Sequence, residues 1–147
     1  MTQMELESLF VDEDALDTRL LVEAIRPLAR IVRETGAPRF TPEGARLSDR
    51  ARVYVALLAR AAWACSELGR PDAVDLATLK QQVEPRSVDS LRKALQRLAD
   101  ERLAERTGKQ WRAMSVTIEE GKAYLQGHAR RRGSRRGRKS HAVPRAL

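Results

Sequence analysis

A single cysteine, Cys65, stands in a chain of 147 residues. One thiol forms no intramolecular disulfide and supplies no cysteine-based metal site within one chain. It sits in an apolar run, where a buried small hydrophobe is the expected role. Aromatics are equally scarce, with two Trp, two Tyr and two Phe, so the core has to be built from Leu, Val, Ile and Ala. There is no long hydrophobic run. The most apolar stretch, VYVALLARAAWAC over 53–65, is too short to span a bilayer and contains Arg60. No basic segment followed by an apolar one opens the chain, which argues against a signal peptide. The expected setting is cytoplasmic, with no membrane partner.

Catalytic sets are missing too. The two histidines, His128 and His141, fall near the end of the chain, in a stretch expected to be disordered. No Ser-His-acid or Cys-His group can be assembled in the body, and RRGSRRGRK lacks the strand and helix that a phosphate-binding loop needs. Glu119 and Glu120 are better explained as favourable charges in a first helical turn. The reading is of a protein that is not an enzyme and takes no cofactor or metal.

What the chain has is charge, unevenly placed. Residues 128–147 contain Arg130, Arg131, Arg132, Arg135, Arg136, Arg138, Lys139 and Arg145 and no acid. Without those eight, the 28 basic residues fall to 20, equal to the 20 acidic ones. The body is neutral and the tail carries the excess of +8. Residues 1–18 carry Glu5, Glu7, Asp12, Glu13, Asp14 and Asp17 with no basic residue. This asymmetry points to a nucleic-acid partner at the C-terminal end. The plainer alternative is a solvated tail that aids solubility.

The spacing of apolar residues divides the chain into an acidic, flexible segment (1–13), a folded domain (14–127) and a disordered Arg-rich tail (128–147). Apolar positions 16, 20, 21, 24, 25, 28, 31 and 32 predict a helix over 16–34, kinked or split at Pro27. GAPRFTPEGARLS (36–48) reads as a loop pinned by Phe40. Ser48 caps a central helix over 49–68, ended by Gly69 and Pro71. Asp75 caps a short helix to Val83. Pro85 breaks it, and Ser87 caps an amphipathic helix over 87–106. That helix is expected to bury Val88, Leu91, Ala94, Leu95 and Leu98, with Ala99 or the stem of Arg102 beside them. Its outer face carries Asp89, Ser90, Lys93, Gln96 and Arg97, with Arg86 at the entrance and Arg92 to one side. LAERT (103–107) and WRAMSVT (111–117) flank Gly108-Lys109-Gln110 and read as a hairpin. Thr117 is expected to cap a last helix over 118–125, with Gly127 closing the body.

This order of elements, over 74–125, resembles a winged helix-turn-helix. LATLKQQV resembles its first helix, SVDSLRKALQRLADERLAER its recognition helix, and TGKQWRAMSVTIEEGKAYL its wing and the ending of MarR-type regulators. Those regulators end in long dimerising helices, whereas this chain ends in a short helix and a basic tail. The resemblance implies a mainly α domain with a small β-hairpin wing and extra N-terminal helices. It implies double-stranded DNA as partner, read by a helix in the major groove. It carries DNA contact over to Arg86, Ser87, Ser90, Lys93 and Arg97, and to Lys109 and Arg112 on the wing. The tail residues Arg130, Arg131, Arg132, Arg135, Arg136, Arg138 and Lys139 would meet phosphates. The expected role is a transcriptional regulator or DNA-organising factor. Open alternatives are RNA or ribosome binding, a protein-binding module in a nucleic-acid machine, and a homodimer. Trp63 and Trp111 are expected in the core.

Overall fold

The computed structural model describes residues 18–66 and 71–128. Their order is α1 (Thr18–Ile25), β1 (Ala29–Ile31), β2 (Pro38–Phe40), α2 (Pro42–Ala45), α3 (Asp49–Ser66), β3 (Val74–Asp75), α4 (Leu76–Val83), α5 (Val88–Asp100), β4 (Ala104–Thr107) and β5 (Gln110–Ala113). A short 3-10 turn, Ser115–Thr117, leads into α6 over 118–128. The chain is mainly helical, with two small antiparallel sheets. The segment expected over 1–13 lies outside the described residues, as does the tail expected over 128–147 apart from His128.

α3 is the centre. Every residue from Val53 to Ala59 is buried, so this helix has no solvent face over two turns. α1, α4, α5 and β5 all pack on it. That arrangement follows from its sequence, since a helix apolar on all sides must be surrounded. Its start is fixed as expected, with the Ser48 hydroxyl accepting from the Ala51 N–H at 3.2 Å. Trp63 is buried, and its indole N–H donates to the Arg33 carbonyl at 2.8 Å. Cys65, expected to be buried, is exposed instead: it lies at the end of α3, next to the equally exposed Ser66.

The helix expected over 16–34 is split before Pro27, and the part after it is strand. α1 stops at Ile25 and the chain turns through Arg26–Leu28, with the Leu28 N–H bonded to the Ile25 carbonyl. β1 then pairs with β2 in the register Ala29↔Phe40, Arg30↔Arg39 and Ile31↔Pro38. Pro27 cannot continue the helical hydrogen-bond ladder, and Ile31 and Val32 suit a pleated strand. The reversal requires Gly36, whose φ is +76° and whose missing Cβ would lie 2.6 Å from the Trp63 ring. The stretch expected as a loop over 36–48 thus holds β2 and α2, the latter capped by Thr41.

The caps of α4 and α5 fall where expected, at Asp75 and Ser87. Between them Glu84 is left-handed at φ +52°, just before Pro85. α5 does not run to 106. It ends at Asp100 in two closing bonds, Leu103 N–H to the Leu98 carbonyl and Arg102 N–H to the Ala99 carbonyl. This is a Schellman ending with Arg102 in the left-handed position at φ +62°. Leu91, Ala94, Leu95 and Leu98 are buried, while Val88 and Ala99 are only partly so.

β4 and β5 pair as Ala104↔Ala113, Glu105↔Arg112, Arg106↔Trp111 and Thr107↔Gln110. Gly108, at φ +64°, takes the first of two turn positions. β3 adds a third strand on the far edge of β5, Val74 opposite Trp111. The second arm is shorter than expected and stops at Ala113. Thr117 does not cap α6 with its side chain; its hydroxyl donates to the Arg102 carbonyl at 2.6 Å. α6 continues past Gly127, and His128 therefore belongs to the body. Its Nε2 accepts from the Ser48 N–H at 3.3 Å.

Candidate nucleic-acid interface

α5 and the β4–β5 hairpin project beside each other and share one cleft. Leu91, Leu95 and Leu98 fix the helix to α3, and this turns positions 92, 93, 96 and 97 outward. Lys93 and Arg97 are exposed on that outer face and form no ion pair with any described residue.

The start of α5 is tied down by Asp49 of α3. Its Oδ2 accepts from the Arg86 backbone N–H at 3.2 Å and from the Ser90 hydroxyl at 2.9 Å. Its Oδ1 takes the Arg52 guanidinium at 2.5 Å. Burial pushes the Asp49 carboxyl up. The Arg86 N–H, Arg52 and Ser90 together outweigh burial and hold its pKa below the ordinary carboxylate value. Of the residues expected to touch DNA, Ser90 is thus already engaged within the fold. Ser87 spends its hydroxyl oxygen on the Ser90 N–H, at 3.0 Å. Arg86 keeps an exposed side chain at the helix entrance.

The wing divides its charges between two faces. Arg112 lies on the outer face, 2.5 Å from Glu105 and 3.8 Å from Asp72. It is neutralised there, unlike the free cation expected from the sequence. Arg106 and Trp111, directly paired, lie on the inner face with the Arg106 guanidinium 5.8 Å from the ring centroid. They line a cleft of about 490 Å³ against α5. Leu76, Leu95 and Trp111 form its floor, and Arg92, Gln96, Arg106 and Lys109 its rim. Gln96 donates to Asp100 at 3.0 Å.

The structure therefore brings Arg92 and Arg106 to the site beside Lys109. Neither arginine is among the residues expected from the sequence to touch DNA. The available signal was strand alternation over 103–107, which puts Arg106 on the same face as Ala104; the two-residue turn then sets it opposite Trp111. The tail residues Arg130, Arg131, Arg132, Arg135, Arg136, Arg138 and Lys139 lie outside the described residues. Among the described residues no cluster of His, Cys, Asp and Glu is gathered for a metal ion. None of their helices is long and apolar enough to cross a membrane.

Comparison with protein-family models, curated proteins and solved structures finds no significant match to the chain.

Proposed function

We propose that this chain is a winged helix-turn-helix protein, MarR-like over 74–125, that binds double-stranded DNA as a transcriptional regulator or DNA-organising factor. The observation that carries the reading is the set of exposed cations Arg86 just before α5, Arg92, Lys93 and Arg97 on it, and Arg106 and Lys109 on the wing. None of these six forms a side-chain ion pair with a described residue. Arg50, Arg52 and Arg112, by contrast, are matched to carboxylates. The order α4, tight turn, α5, hairpin, with β3 as third strand, supports the fold assignment.

In this reading the N-terminal half of α5 enters the major groove, about 12 Å wide and able to admit a helix. At about 1.5 Å per residue, its 13 residues reach about 20 Å, enough to cross the groove. Lys109 and the rim of the cleft lie over the neighbouring phosphate strand. The Arg-rich tail adds sequence-independent phosphate contacts. The reading assigns no catalysis.

The test is fluorescence anisotropy on a mixed-sequence duplex across a salt series. Lys93→Glu with Arg97→Glu is expected to weaken binding at least tenfold. For each phosphate no longer neutralised, the slope also flattens by about 0.9 log units of affinity per log unit of salt. Residues 1–128, which keep His128 on the Ser48 N–H, are expected to bind still, with a shallower slope than the full chain. Unchanged affinity in the double variant sinks the reading. Binding that vanishes with the tail turns the body into a protein-binding module instead.

A further inference from the structure

The cleft between α5 and the wing has a floor that a phosphate strand does not satisfy. Leu76, Leu95 and Trp111 are apolar; Leu95 is fully buried, and Trp111 is partly buried against the core with the exposed Arg106 side chain over its ring. The charged groups stand at the rim, where Arg92, Arg106 and Lys109 meet no carboxylate among the lining residues. Intact duplex offers phosphates and sugars to such a surface and keeps its base faces stacked inside. Its phosphates would meet the rim and leave the floor against charged, hydrated atoms, which is unfavourable. A ligand that fits both parts has a flat apolar face with an anion a few ångströms away. A nucleotide whose base is unpaired has that shape. Its base lies on the Trp111 ring and its flanking phosphates reach Arg92, Arg106 and Lys109. The cleft, at about 490 Å³, falls in the range of small-ligand sites, roughly 300–1,000 Å³.

We infer that this cleft holds an unpaired base in a strand adjoining duplex, so that the protein prefers duplex ends or junctions with a single-stranded extension. The inference rests on the DNA-binding reading and adds a specificity to it. Base-on-aromatic stacking is sequence-tolerant because every base has a π-face, so the site selects strand state and not sequence. The Arg106 guanidinium lies over the ring, 5.8 Å from its centroid, so the arriving base displaces it and it takes the phosphate next to the stacked base.

The experiment uses the full chain and three probes: a blunt 20-base-pair duplex, and the same duplex with a four-thymidine extension at the 3′ or the 5′ end. Affinity and tryptophan emission are read together. At least one extended duplex is expected to bind about tenfold tighter than the blunt one, in keeping with roughly 1–3 kcal/mol of stacking per base, and to quench emission. Trp111→Leu should remove both the preference and the quenching, with Trp63 as the remaining emitter. Trp111→Phe keeps an aromatic floor and should keep the preference, which separates stacking from mere packing. Equal affinity for the blunt and both extended duplexes overturns the inference and leaves the DNA-binding reading intact. A preference that survives Trp111→Leu also overturns it. If the blunt duplex does not bind while an extended one quenches Trp111, the duplex reading fails and the base site stands.

Discussion

The Asp49 carboxylate accepts the Ser90 hydroxyl at 2.9 Å and the Arg86 backbone N–H at 3.2 Å, and so joins the start of α3 to the first turn of α5. One acid thereby sets where the cation-bearing helix leaves the body. Asp49→Ala is expected to cost about 2 kcal/mol, the scale of hydrogen bonds to a charged group. The change should also loosen the entrance of α5. Amide exchange over 86–91, compared with 53–59, checks it. Uniform acceleration in both segments would make Asp49 a general stabiliser and not a tie for α5.

The same carboxyl gives a pH dependence with a definite sign. Its folded pKa is depressed below the unfolded value, near 3.8–3.9. Its contribution is therefore complete above the unfolded pKa and is lost as pH falls through the folded one. Urea midpoints at about pH 6 and about pH 3 should drop more for the native chain than for Asp49→Asn. An equal drop in the two proteins would show that other carboxylates, such as Glu23 and Asp75, carry the acid sensitivity.

Arg102 closes α5 in a left-handed conformation that an L side chain adopts at a cost of roughly 1–2 kcal/mol. Glycine takes that conformation freely. Arg102→Gly is expected to raise stability by about 1 kcal/mol after allowing for the extra chain entropy of glycine. Its exposed side chain forms no ion pair with a described residue, so the substitution breaks no charge pairing there. Thermal unfolding decides the sign, and a lower Tm would show that the side chain contributes packing.

Gly121 of α6 sits against Tyr54, the largest fully buried side chain of the core. An added Cβ would lie 1.6 Å from Oη and 2.4 Å from Cζ. Gly121→Ala is expected to cost at least about 2 kcal/mol through overpacking. Tyr54→Phe removes a buried hydroxyl that has no hydrogen-bond partner, so it should be neutral or stabilising. Combined with Gly121→Ala it should recover part of the loss. A double-mutant cycle with no coupling would place the two residues out of contact.

The elements legible in the sequence were those whose signals are local. Asp75 and Ser87 cap helices because a short side-chain oxygen reaches an N–H two or three residues on, whatever surrounds it. The central helix and the buried face of α5 follow from apolar spacing alone, because burial repeats with the helical period. The β4–β5 turn followed from Gly108. The ends of elements were less legible. Helix 16–34 became α1 and a ribbon because Ile31 and Val32 suit strand as well as helix, and only pairing with Pro38–Phe40 and support from Trp63 decide between them.

The sequence by itself determined which residues could carry positive charge, that acid is concentrated near the start and base near the end, and that a helix, a turn, a helix and a hairpin follow one another. Tertiary structure decided which charges remain available. Arg112 and Lys109 look alike in sequence, yet strand alternation places Arg112 against Glu105 and leaves Lys109 on the cleft. Arg92 and Arg106, fourteen positions apart, come to one rim because α5 and β4 are folded against the same core. Charge in a sequence is a count, and its availability depends on what lies within a few ångströms, which only the packed chain fixes.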